Sequence, residues 1–290
     1  MSKTILLTGA ERGAGRVVAE TLSAAGHRVF AGMRDPLGRN SALANALWAQ
    51  AIDVVGLDIT DDASVERGVR DTLAKAGRID VLINNGAIVA SGVSEAFTTD
   101  QVRDLLDNNV IGVFRAMRAT LPGMRREKGG LILNVGSIFG RVALPYFGVH
   151  ATTMFALEAL SDAFRYEASV FGIDAVLVQT GAFHVALDGH AQWPDDDERV
   201  KSFADAGRDP AVLEARFAAL TADAEAREIF DLASVLAGLV DMPKGSRPDR
   251  VVVGASLGAD GLNRLSRSIQ GYALNELGLT ELTHPDPSQA

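Results

Sequence analysis

Short runs of Val, Ile and Leu recur along the chain, and each is followed by a segment whose apolar residues return every three or four positions. The runs Lys3–Thr8, Arg28–Met33, Ile52–Leu57, Ile79–Ile83, Leu131–Val135, Ile173–Val178 and Arg250–Val253 predict strands. Between them, Arg16–Ala25, Arg39–Ala49, Asp61–Ala76, Thr98–Arg126 and His150–Phe171 predict helices, with Asp61 or Thr60 placed to cap the third. Strict alternation of strand and helix over short connections implies an α/β fold. About seven strands form a doubly wound parallel sheet with helices on both faces, and a ligand crevice lies at the strands' carboxyl ends.

Two stretches depart from this rhythm. Asn108-Asn109 followed by Gly112 lies inside the Thr98–Arg126 pattern, where propensity predicts a kink or a polar insertion. Asp188–Glu228, after the sixth strand, carries Asp195-Asp196-Asp197-Glu198 and alanine-rich helical segments. It is expected to be a substrate lid over the crevice, with the acidic run as a solvated face. The tail 283–290 is expected to be disordered. No repeat or second core is legible, so residues 1–290 are read as one domain.

Composition narrows the function. At 47% apolar and 22% charged, the chain is ordinary globular material, and its formal net charge of −9 argues against a nucleic-acid surface. It has no cysteine, which excludes disulfides, thiolate metal sites and a cysteine nucleophile. The first residues resemble no signal peptide and no apolar segment approaches the ~18 residues of a membrane span, so a cytoplasmic location and a small-molecule substrate are expected.

The first strand runs into Gly9-Ala10-Glu11-Arg12-Gly13-Ala14-Gly15 and then a helix. A strand, a glycine turn and a helix N-terminus make an anion site, because unpaired N–H groups and the helix dipole point at whatever occupies the turn. A pyrophosphate fits. The second strand ends on Arg34 rather than on an acid that would hold a ribose hydroxyl. With Arg12 it suits a 2′-phosphate and so NADP(H), although either arginine alone could equally be a solvated surface residue.

Thr8-Gly9 with Gly13 and Gly15, Asp58 after strand three, Asn84-Asn85 after strand four, Asn109 in the long helix and Ser137 after strand five together resemble the short-chain dehydrogenase/reductase family, in its hydroxysteroid/retinol-dehydrogenase-like branch. The likeness runs from Lys3 to about Gly254 and implies a Rossmann-like sheet and a nicotinamide cofactor. It implies Gly9, Gly13 and Gly15 at the pyrophosphate, Asp58 with Ile59 at the adenine, Asn85 with Gly86 along the ribose, Asn109 anchoring a water chain, and Ser137 on the substrate oxygen. Relatives of this kind pair through their long helices, so a homodimer or homotetramer is expected.

The family's tyrosine and lysine are replaced here by His150 and Met154, and the flanking segments keep register. Tyr146 lies too close to Ser137 to stand in and is read as a pocket wall. An imidazole, with an ordinary pKa of about 6.5, can exchange a proton without a lysine to tune it. Near a helix N-terminus the dipole makes it a better base than acid. His184 and His190 have no ligand spacing around them, and no metal is expected. Three functions compete: an NADP(H)-dependent oxidoreductase interconverting a ketone and a secondary alcohol of moderately bulky, apolar character, with Ser137, His150 and Asn109 at the chemistry; a non-redox isomerase or lyase on the same scaffold; and a catalytically silent NADP(H)-binding protein.

Overall fold

The computed structural model describes residues 1–11, 14–181, 191–206, 211–212, 215–216 and 225–282. Seven parallel strands form one sheet: β1 (Thr4–Leu7), β2 (Arg28–Met33), β3 (Asp53–Gly56), β4 (Val81–Asn84), β5 (Gly130–Ser137), β6 (Ile173–Thr180) and β7 (Arg250–Val253). Their order is β3-β2-β1-β4-β5-β6-β7. The chain leaves β1 toward one edge and crosses back to β4 on the other side, which puts the crevice of a doubly wound sheet at the carboxyl ends of these two strands.

Helices cover both faces, as near-continuous apolar strands require. On one side α1 (Gly15–Ala24), α2 (Ser41–Trp48) and α8 (Glu225–Asp241) pack Val18, Leu22, Leu47, Leu232 and Leu236 against the sheet. On the other, α3 (Asp62–Ala76), α5 (Gly112–Arg126) and α6 (Gly148–Ser169) contribute Val65, Val69, Met117, Met124 and Ala168. Asp61 caps α3 by accepting from the Ala63 N–H at 2.9 Å, and Gly77, at φ 80°, closes it. A capping box of Thr98 and Gln101 starts α4 (Thr99–Leu106). The remaining helices are α7 (Asp197–Asp205), whose first turn is capped by Asp196, and α9 (Ala259–Glu276).

The long helix expected over Thr98–Arg126 is divided by a π turn at Asp107–Ile111. Gly112 then begins α5 against Ile59, where a Cβ would sit 2.9 Å from the isoleucine side chain. The glycine therefore allows a close approach rather than merely weakening a helix. β5 extends two residues beyond the expected run and includes Ser137, because β6 pairs with it all the way to Ser137 opposite Thr180. The sixth helix begins at Gly148 and ends at Ser169, two residues earlier at each end than its pattern predicts. Of the stretch expected as a lid, α7 is described, while 188–190, 207–210, 213–214 and 217–224 lie outside the described residues, as does the tail 283–290.

Candidate active site

The glycine turn is shaped by contacts that admit no side chain. A Cβ on Gly9, at φ 63°, would stand 2.4 Å from the Asn85 carbonyl oxygen, and one on Gly15 would stand 2.3 Å from the Gly9 carbonyl oxygen. Thr8 Oγ1 accepts from the Asn85 N–H at 3.1 Å, and Asn85 Nδ2 donates to Gly9 O at 3.2 Å, so the ends of β1 and β4 are tied together. Gly86, at φ 104°, lies against Gly9. Among the described residues no side chain caps α1 and no acid stands in its first turn, which leaves its N–H groups and dipole to an anion. Arg12 and Gly13 lie outside the described residues.

At the end of β2, Arg34 is not a free cation. Its Nε lies 3.2 Å from Oε1 of Glu11, a residue of the glycine turn whose side chain is 8% exposed. The other carboxylate oxygen of Glu11 is buried with no hydrogen-bond partner among the described residues. Farther along, Asp58 accepts from Thr60 N–H and Oγ1 at 3.0 and 2.8 Å, while its own N–H donates to Ser64 Oγ. Ile59 is half-buried beside it, its carbonyl held by Arg115 at 3.1 Å.

The π turn brings Asn109 onto the strand-four loop. Its Oδ1 accepts from Ile88 N–H at 2.7 Å, and its amide donates to Ile88 O at 2.8 Å and to Thr153 Oγ1 at 3.1 Å. Thr153 Oγ1 in turn donates to the carbonyl of His150 at 2.8 Å. Both amide hydrogens of Asn109 are thereby used within the protein, and the side chain couples the loop to the first turn of α6.

Ser137 ends β5 with Oγ accepting from Phe139 N–H at 3.2 Å. The Phe139 ring stacks on Phe147 at 4.8 Å and meets the His150 ring edge-on at 5.8 Å. Phe139 thus touches both Ser137 and His150, hydrogen-bonded through its backbone to one and packed against the other. His150, third residue of α6, is 3% exposed, and Met154 is buried among Ile138, Phe139, Phe147 and Ala151. Tyr146 precedes them at φ 66°, a left-handed conformation unfavourable for a bulky residue. Its carbonyl accepts from Gly92 N–H at 2.7 Å. His184 and His190 lie outside the described residues.

A family profile described as short chain dehydrogenase matches residues 3–194, well over half of the chain. The chain belongs to this family. It is 32% identical over 204 residues to a 3-ketodihydrosphingosine reductase of Bacteroides thetaiotaomicron, covering 69% of this chain and 71% of that protein. It is 34% identical over 195 residues to the human 17-beta-hydroxysteroid dehydrogenase type 1, covering 64% of this chain and 59% of that protein. The crystal structure of a short-chain dehydrogenase from Streptomyces avermitilis superposes with a TM-score of 0.76 at 28% identity, covering 96% of this chain and 97% of that one. This chain is accordingly an oxidoreductase of that family, and the family uses nicotinamide cofactors.

Three residues of this short-chain dehydrogenase escaped the sequence reading. Glu11 was visible as an acid within the glycine turn, and pairing it with the nearest arginine across the crevice would have found the contact with Arg34. Phe139 and Thr153 carry no sequence signal of a role, because one acts through its backbone N–H and ring edge and the other through a helix carbonyl.

Proposed function

We propose that this protein is an NADP(H)-dependent oxidoreductase interconverting a carbonyl and a secondary alcohol on a moderately bulky, apolar substrate, with His150 exchanging the proton. The observation that supports the reading is that Phe139 touches both Ser137, through its backbone N–H, and His150, through its ring, at the carboxyl end of β5, in a sheet whose first strand ends in a glycine turn that would receive a pyrophosphate. Gly9, Arg12, Gly13 and Gly15 would hold the pyrophosphate and 2′-phosphate end. Asp58 and Ile59 would line the adenine, and Asn85 and Gly86 the ribose. When bound, the nicotinamide supplies or accepts hydride at the substrate carbon.

Ser137 Oγ, having accepted the Phe139 N–H, keeps its own hydrogen to donate to the substrate oxygen. In the oxidative direction the imidazole of His150 takes the hydroxyl proton as hydride departs from the same carbon, and in reduction it returns that proton to the carbonyl oxygen. Because His150 is nearly enclosed, the substrate oxygen or one bridging water has to come to the ring. Asn109 and Thr153 hold the helix turn that carries it. The likeness to a hydroxysteroid dehydrogenase and to a ketosphingoid reductase supports a substrate with a large apolar body.

Arg34 favours NADPH only if its guanidinium turns from Glu11 to a 2′-phosphate, so Glu11 tempers the preference. A small-molecule substrate and self-association complete the reading, and exposed Ile111, Phe114 and Phe155 support pairing through the faces of α5 and α6. A second reading, a protein that binds NADP(H) without turnover, draws support from the burial of both His150 and Met154.

The test is hydride transfer by purified protein with NADPH and NADP⁺ over a panel of ketosteroids, long-chain ketones and the matching alcohols. His150→Gln should lower turnover by roughly 10²–10⁴-fold while nucleotide binding stays within a factor of a few. Wild-type binding with no turnover on any member, or full activity in the variant, refutes the assignment.

A further inference from the structure

Helix α9 is amphipathic the wrong way round for a surface helix, which ordinarily turns its apolar stripe to the core. Its inward face is polar. Asn263 is buried, donating to Gln179 Oε1 at 2.6 Å and accepting from Arg141 Nε at 3.0 Å. Gln270 donates to Asp162 at 2.7 Å, and Arg267 pairs with Asp249. Its outward face carries Leu262, Leu265, Ile269 and Tyr272, which are 40, 57, 58 and 67% exposed. Their spacing is three, four, three, the repeat that makes one helix a seam for another. Four large apolar side chains grouped on one outward face call for a cover, whereas single exposed ones do not.

We propose that this seam is covered by the same helix of a second copy of the chain, packed antiparallel across a two-fold axis at the level of residue 267. Three features select a second copy. The seam is self-complementary on reversal, with Leu262 set against the partner's Tyr272 and Leu265 against the partner's Ile269. Its rims are small and uncharged, Gly261, Ser268 and Asn275 on one side and Ser266 and Ala273 on the other. Two identical helices therefore approach with no like charges facing each other along their rims. Glu276, which continues the seam and enters no ion pair among the described residues, would come beside the N-terminus of the opposite helix. That N-terminus, at Gly258, has no side-chain cap to satisfy it. A bilayer is the poorer fit, because a surface-lying helix carries cationic rims and this chain carries a net charge of −9.

Sedimentation velocity of the full chain at micromolar concentration tests the assignment. Leu265→Glu with Ile269→Glu should halve the sedimenting mass, tetramer to dimer or dimer to monomer, with circular dichroism unchanged. Glu276→Lys should weaken the association by about three- to tenfold. Because the chain has no cysteine, Ser268→Cys provides a single reporter close to its own symmetry mate. It should cross-link into a disulfide dimer on oxidation, whereas Arg67→Cys on α3 should not. A wild-type monomer, an unchanged mass in the double variant, or no cross-link at position 268 overturns the proposal. So does a monomer that floats with phosphatidylglycerol vesicles. Independence from hydride transfer keeps a failure here separate from a failure of the proposed activity.

Discussion

Replacing Glu11 by glutamine removes one negative charge from the adenosine end of the nucleotide cradle and keeps an oxygen to accept from Arg34 Nε, now at 3.2 Å. A 2′-phosphate gripped by the far edge of that guanidinium would lie about 6 Å from the Glu11 carboxylate, given the geometry of arginine–phosphate pairs. Two unit charges at about 6 Å with an effective dielectric near 20 repel by about 3 kcal/mol. Arg34 is 29% exposed and the phosphate would be partly solvated, so screening reduces the repulsion to about half of that, close to one factor of ten in affinity. NADH lacks the phosphate and escapes this repulsion, while its ribose hydroxyl loses a charged acceptor. The ratio of the NADH to the NADPH dissociation constant should therefore rise by about tenfold in the variant, read by nicotinamide fluorescence at low salt, and the gain should shrink as salt is added. A ratio unchanged within twofold, or one that moves toward NADH, would show that Glu11 does not face the phosphate position.

Other consequences follow from the packing. Gly15→Ala places a methyl 2.3 Å from Gly9 O and 2.8 Å from Ala10 Cα, both backbone atoms, so nucleotide binding should fall by more than tenfold. Alanine's better helix propensity alone would raise the melting temperature, and a higher Tm with unchanged binding would refute the steric argument. Arg250, 6% exposed, faces Glu158, Asp162 and Asp249, so Arg250→Met removes a shared cation from three largely buried carboxylates, which keep Arg141, Gln270 and Arg267 respectively. A loss of about 3–5 kcal/mol is expected, a melting temperature lower by roughly 10 °C in calorimetry, and a fall of only a degree or two would contradict it. Burial by itself would raise the Asp249 carboxyl, but the hydrogen bond and charge of Arg267, with Arg250 and Arg165 behind, hold it below the ordinary carboxylate range. A depressed carboxylate contributes stability above its unfolded pKa of about 3.9 and loses it as pH falls through the folded value. Arg267→Gln should thus move the acid-unfolding midpoint upward, as followed by circular dichroism, and an unmoved midpoint would show the pair to be without consequence.

The architecture was legible because the central strands are buried on both faces and read as continuous apolar runs, and because the helices between them repeat their apolar residues at their own period. Such patterns are local, and so are caps, which is why Asp61 was readable as the start of α3. The glycine turn was legible for the same reason at Gly15, which packs on Gly9 and Ala10, whereas the Asn85 carbonyl that lies against Gly9 comes from the end of β4. What the sequence could not carry is pairing across elements. It supplied Arg34 as a cation but not Glu11 as its partner, since 23 residues and a helix separate them. It offered Asn109 as a kink or polar insertion without the grip on Ile88 and Thr153, and His150 without the Phe139 ring that packs against it. Helix α9 was not among the predicted elements, and which of its faces turns outward is set by contacts with other elements. Periodicity records that a helix has two faces, whereas only the buried Arg250, Glu158, Gln179 and Asn263 network, assembled from β7, α6, β6 and α9, decides which of them the protein keeps for itself.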